Sequence, residues 1–180
     1  MSLSRTVVAA LGIFLLCSTS LIAEDINGFT AIEVKNRCLV KTAGAADYKA
    51  IKLNQTYPFG TSVKTGRNSS LVLRFDDKSG QNTFQLLART TLSIEQNTKD
   101  AKLKVLKLES GSLKLTLDDF PKDHKLEVET PTAVCGAVGT RFVVSFENGD
   151  DEPGSRRNSF DCDKGEVYVA AHQRQVHRVQ

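Results

Sequence analysis

Three histidines, four cysteines and a few acid pairs are the side chains with most capacity for chemistry. His124 lies in the polar run Lys122-Asp123-His124-Lys125, and His172 and His177 lie near the C-terminus. No two stand at a metal-binding spacing such as His-x-x-x-His, so each reads as a solvated side chain. Cys17 belongs to an N-terminal apolar run, which leaves Cys38, Cys135 and Cys162. No Cys-x-x-Cys occurs, and Cys135 and Cys162 sit in apolar strand-like patterns, Cys162 alternating with Phe160. A nucleophilic thiolate needs electropositive, partly open surroundings. These cysteines therefore read as small buried hydrophobes, with any pairing among the three left open. The acid pairs Asp76-Asp77 and Asp118-Asp119 stand in turn-like sequence, where adjacent acids serve as solvated turn formers. Asp150-Asp151-Glu152 lacks the spacing of a calcium loop. No Gly-x-Ser-x-Gly elbow is present. The expectation is a non-enzyme with no catalytic residue, metal or cofactor.

The elements that must carry these residues are strands. Leu71, Leu73 and Phe75 alternate with polar residues up to the turn Asp76-Asp77-Lys78-Ser79-Gly80. Thr83 to Leu87 and Thr91 to Glu95 follow. Then come Leu103 to Leu108 and Leu113 to Leu117, split by Glu109-Ser110-Gly111. Strict alternation predicts one buried and one wet face. Leu126 to Thr130, Ala133 to Val138 and Arg141 to Phe146 continue the pattern, with Pro131 and Gly139 as breaks. Asn148 to Asn158 reads as the longest polar loop. Ser159 to Cys162 and Glu166 to Val169 flank a turn at Asp163-Lys164-Gly165, and Gln175 to Val179 has the pattern of one more short strand. Helical periodicity is absent. Many short strands at near-even spacing predict an all-β domain: a β-sandwich, a roll or a β-helix-like stack.

Ahead of this domain, Met1 to Ala23 carries one charged side chain, Arg5. The apolar run Val7 to Cys17 is short of the ~20 residues of a spanning helix. Small residues and the acidic pair Glu24-Asp25 follow, the layout of a cleavable signal peptide. Cleavage is expected between Ala23 and Glu24, with a cut after Ser20 as the second choice. Residues 1–23 are then signal, and 24–180 are one mature domain with its core at about 28–170. No transmembrane segment remains after that cut. The net charge of +3 gives no electrostatic case for nucleic acid. Gly136-Ala137-Val138-Gly139 mimics a KH loop, but strands flank it where a KH loop joins helices. Trp is absent, which weakens the case for a lectin.

The run Val128-Glu129-Thr130-Pro131-Thr132-Ala133-Val134-Cys135-Gly136-Ala137-Val138-Gly139-Thr140-Arg141-Phe142 resembles the core signature of FecR-type domains. That signature has a Thr-Pro, a small apolar strand, Gly-Thr-x-Phe and a further strand. Phe59 to Phe75, with Thr65-Gly66 at its centre, and the closing Gly165-Glu166-Val167-Tyr168-Val169 are similar to two other parts of that family. The residues themselves give the signature a structural reading. Pro131 holds Thr130 extended, Gly139 permits a tight reversal, and Phe142, Val144 and Phe146 share a core face. Thr140 and Gly165 belong to the same set. Val138 stands where the family commonly has Arg. No anti-sigma segment, membrane helix or C-terminal signalling subdomain is visible.

The resemblance implies a bacterial, periplasmic or secreted sensing or interaction domain with an envelope protein as partner. The polar loop, through Asp150, Asp151, Arg156 and Arg157, is the expected recognition element. The alternative is a carbohydrate- or peptidoglycan-binding envelope module.

Overall fold

The computed structural model describes residues 26–148 and 156–171. The signal segment, Ala23 and Glu24, Asp150 and Asp151, His172, His177 and the strand expected at 175–179 lie outside the described residues. The described chain is twelve strands without a helix. They are β1 (Gly28–Lys35), β2 (Cys38–Lys41), β3 (Lys49–Ala50), β4 (Thr56–Pro58), β5 (Thr61–Thr65) and β6 (Ser70–Phe75). Then follow β7 (Thr83–Leu86), β8 (Thr91–Gln96), β9 (Leu103–Thr116), β10 (Lys125–Glu129), β11 (Ala133–Asn148) and β12 (Arg156–Ala171). No helix among the described residues is long and apolar enough to cross a membrane.

All twelve strands form one sheet, in which the path β3-β2-β5-β8-β9-β7-β6-β1-β4 turns back on itself at β9. The first part of β9 pairs with β8 (Leu106 opposite Ile94), and its second part pairs with β7 (Leu113 opposite Leu86). On its other side β9 is flanked first by β10, in parallel, and then by β11. The result is a roll whose two halves share one core. Leu71, Leu73, Phe84 and Leu113 enter that core from one half, and Val63, Leu92, Leu106 and Val128 from the other. Phe84 lies at its centre, with ring centroids 4.8 Å from Phe75 and 5.9 Å from Phe29.

Corners between the halves are polar and stacked. Arg37 joins β1 to β2, Gly66 to Ser69 joins β5 to β6, and Leu87 to Thr90 joins β7 to β8. The Gly66 N–H donates to Arg37 O (2.9 Å), and the Thr90 N–H donates to Thr65 Oγ1 (2.9 Å). The Ser112 N–H donates to Thr90 Oγ1 (3.0 Å), and Ser145 Oγ donates to Ser112 Oγ (2.8 Å). Threonine and serine here satisfy backbone groups that a bend removes from the ladder.

Three expected breaks are not breaks. Glu109-Ser110-Gly111 lies inside continuous β9, where Gly111 at φ +93° bends the strand from one half of the roll to the other. Gly139 lies inside continuous β11, at a register shift between Val138 and Arg141 that marks a bulge rather than a reversal. Asp163-Lys164-Gly165 lies inside continuous β12. Glycine beside polar residues suits a bulge as well as a turn, and here the long strands carry the chain through. The loop expected from Asn148 to Asn158 is also shorter than its sequence suggests. Arg156 and Arg157 are strand residues, opposite Asn148 and Glu147 of β11.

Candidate functional site

The signature turn between β10 and β11 is built by Thr130. Its N–H donates to Ala133 O (2.8 Å), and its Oγ1 accepts the Ala133 N–H (3.0 Å). Pro131 is exposed at the tip. Thr132 Oγ1 accepts from Asn158 Nδ2 of β12 (2.6 Å), which ties the turn to the last strand. Phe142, Val144 and Phe146 all lie buried in the core. The structure thus brings Thr130, Pro131 and Phe142 into the frame around β11. Gly139, Thr140 and Gly165 are placed by backbone alone, in β11 and β12.

Titratable groups fall differently from the sequence reading. His124 is buried, not solvated: its side chain is 2% exposed. Its backbone N–H closes a turn onto Pro121 O (2.9 Å), which tucks the ring edge-on to Phe120 at 6.4 Å. Nδ1 lies 3.1 Å from Asp123 Oδ1, while Nε2 has no hydrogen-bond partner among the described residues. Lys104, one of the polar positions of the β9 alternation, is fully buried. Its Nζ donates to Ala101 O (2.6 Å) and stands 4.7 Å from the Phe59 ring centre. Such a contact suits an ammonium taken out of water. Nothing in the alternation around Lys104 signals this.

Cys162 is exposed, contrary to its inward assignment, because β12 lies at the rim of the sheet and not over the core. Cys38 and Cys135 are buried, and no disulfide joins any of the three. Burial, and secondarily Cys162, pushes the Cys135 thiol up to about 11, so it is protonated at neutral pH. That is the opposite of an activated nucleophile.

The acid pairs are occupied within turns. Asp77 Oδ1 accepts from Ser79 Oγ and the Gly80 N–H, and its Oδ2 accepts from Asn82 Nδ2 (2.7 Å). Asp118 pairs with Arg141 at 2.9 Å. Among the described residues no group of three His, Cys, Asp or Glu could hold a metal ion. A cleft of about 400 Å³ on the outer face is lined by Lys114, Thr116, Arg141, Phe142, Val143, Asp161 and Cys162. Its lining mixes both charges.

The remaining feature is the rim. Among the described residues the sheet has three free edges. β3 is two residues long, and β4 is three residues long and ends in exposed Pro58. Short strands and proline are the means by which edges are blunted. By contrast, β12 is sixteen residues long and pairs only with β11. Tyr168 and Val169 on it are 66% and 50% exposed. Among the described residues this strand, about 50 Å long, has β11 as its neighbour.

A family model described as FecR protein matches residues 61–155. The chain belongs to the FecR family. That membership points to a signalling or sensing domain of the bacterial envelope. No curated protein and no solved structure matches the chain. The matched span runs from the start of β5 to just before β12. It contains Thr130, Pro131, Gly139, Thr140 and Phe142, whereas Gly165 and the open edge lie beyond it.

Proposed function

We propose that this FecR domain is an exported, non-enzymatic sensing module that binds an envelope protein by accepting a strand along β12. The observation that carries the reading is the length of β12, which among the described residues pairs with β11 alone and carries exposed Val169. Strand addition draws affinity from main-chain hydrogen bonds and selectivity from alternate side chains. Family membership supplies the envelope setting. Export follows from the signal layout, with Glu24 as the first mature residue; N-terminal sequencing of the mature protein tests that point.

The docking claim is tested with the paired variants Tyr168→Pro and Val169→Pro. Adjacent strand residues point their N–H groups to opposite sides. One of the two prolines therefore leaves the β11 ladder intact and blocks the open edge. The expected result is that this folded variant loses the envelope protein that the unmodified chain captures. Undiminished capture by both folded variants overturns the reading.

A further inference from the structure

The corners of the roll carry a charge pattern that the fold does not use. Arg37, Arg67 and Arg89 come one from each of three successive corners, β1–β2, β5–β6 and β7–β8, and all three are exposed. Backbone hydrogen bonds stack these corners. The Gly66 N–H donates to Arg37 O (2.9 Å), and the Arg89 N–H donates to Gly66 O (3.0 Å). Corners bonded in this way follow one another at about 5 Å, the spacing of paired strands, so the arginines form a row roughly 10 Å long. Among the described residues none of the three guanidinium groups has a hydrogen-bond or ion-pair partner. The corners are held without them, by Thr65, Ser69 and Thr90. Arg89 also stands at φ +56°, where glycine or asparagine is the common choice. An unpartnered arginine kept there against that preference points to a use outside the fold.

We infer that this row binds an extended acidic segment of the envelope protein. The contact takes from the preceding reading only that the partner is a protein, and it does not depend on strand addition. Guanidinium groups pair with carboxylates through two parallel N–H···O bonds. Alternate residues of an extended peptide lie about 7 Å apart, so carboxylates on one side of it reach neighbouring arginines. Two features select a peptide over an anionic membrane or polymer. Leu87, two residues before Arg89, is exposed and offers an apolar contact that a polyanion does not use. Glu109 is exposed on β9 beside the Gly111 bend, the next corner beyond Arg89. It repels a uniformly anionic ligand, whereas a peptide answers it with a lysine.

The test titrates the full chain with a labelled peptide in which Glu alternates with Val and Thr and one end carries Lys. The triple variant Arg37→Gln, Arg67→Gln, Arg89→Gln is compared with Lys49→Gln, Lys99→Gln, Lys122→Gln, which removes the same charge from exposed positions elsewhere. The arginine variant is expected to bind about tenfold more weakly and the lysine variant within about twofold of the unmodified chain, both gaps narrowing in raised salt. Arg89→Gly suits the backbone at that corner and should alone weaken binding about threefold. No binding of the peptide, or equal losses in the two triple variants, overturns the inference. Tighter binding to anionic phospholipid vesicles than to the peptide, lost in the arginine variant, overturns the peptide as occupant. Peptide binding that appears only after Asp150→Asn, Asp151→Asn and Glu152→Gln overturns it too, because the row then serves the chain's own acids. Envelope capture lost in the arginine variant but kept in both β12 proline variants upholds the row and overturns strand addition.

Discussion

Replacing Gly111 with alanine tests how the roll is bent. Gly111 has φ +93°, and a Cβ there would lie 2.5 Å from Thr90 Cα and 2.9 Å from Arg89 O. Both neighbours are backbone atoms of the β7–β8 corner, held by the Thr65–Thr90–Ser112 hydrogen bonds. Two effects add. The left-handed backbone conformation costs an L-residue about 1–2 kcal/mol. Forcing the corner apart costs about 1–3 kcal/mol more, by analogy with overpacked cores. Alanine returns about 0.4–1 kcal/mol by restricting the unfolded chain. The net loss is about 2–4 kcal/mol, which for a domain of this size lowers Tm by roughly 5–15 °C. Gly80→Ala is the control: φ is +64°, but nothing lies within 4 Å of its Cβ position. It carries the backbone effect alone, a loss of about 1 kcal/mol. Thermal unfolding of the two variants should therefore separate them clearly. Equal Tm values for Gly111→Ala and Gly80→Ala would refute the steric account of the bend.

Asp123 is held down to about 2, first by the hydrogen bond from Lys102 and then by that from His124. A depressed carboxylate stabilises the fold above its ordinary value of 3.8, and that contribution disappears as pH falls from there to about 2. Asp123→Asn should flatten the acid limb of a stability–pH curve in that window; an unchanged limb contradicts the assignment. Asn82 is fully buried, accepts the Asp119 N–H and donates to Asp119 O (2.8 Å). Asn82→Ala should lower stability by about 1–3 kcal/mol in urea titration, because those backbone groups lose their partners. In thiol labelling of the native protein, Cys162 should react at once, and Cys38 and Cys135 only after unfolding. Rapid native labelling of Cys135 contradicts its buried, protonated state.

What the sequence made legible is what period-two alternation can carry. Leu71, Leu73 and Phe75, then Leu113, Leu115 and Leu117, then Phe142, Val144 and Phe146 all face the core as their spacing predicts. The roll itself was less legible, because Gly111 and Gly139 look the same in sequence whether a strand reverses or bends. Only the partners on either side, which are distant in the chain, decide it. Strands as short as Lys49–Ala50 and Thr56–Pro58 contain too few residues to show a period. In Thr61–Thr65 the threonines occupy buried positions around Val63, so polarity hides the strand. The buried places of Lys104 and His124 are hidden in the sequence for a related reason. Their burial comes from Phe59 and Phe120 packing over them, which no local pattern records.

The candidate site was the least legible part. Arg156 and Arg157 belong to a polar stretch that reads as loop, yet they begin the last strand. Whether a strand is central or at the rim depends on how many neighbours it finds. Exposed Val169 acquires meaning only once β12 is seen to have one among the described residues.

The most direct test of the central claim is backbone amide exchange along β12, with and without the captured envelope protein. Every second amide of β12 should be unprotected in the free domain and become protected on binding, while the β11-facing amides stay as they were. Protection appearing elsewhere, with the outward β12 amides still exchanging freely, would contradict strand addition.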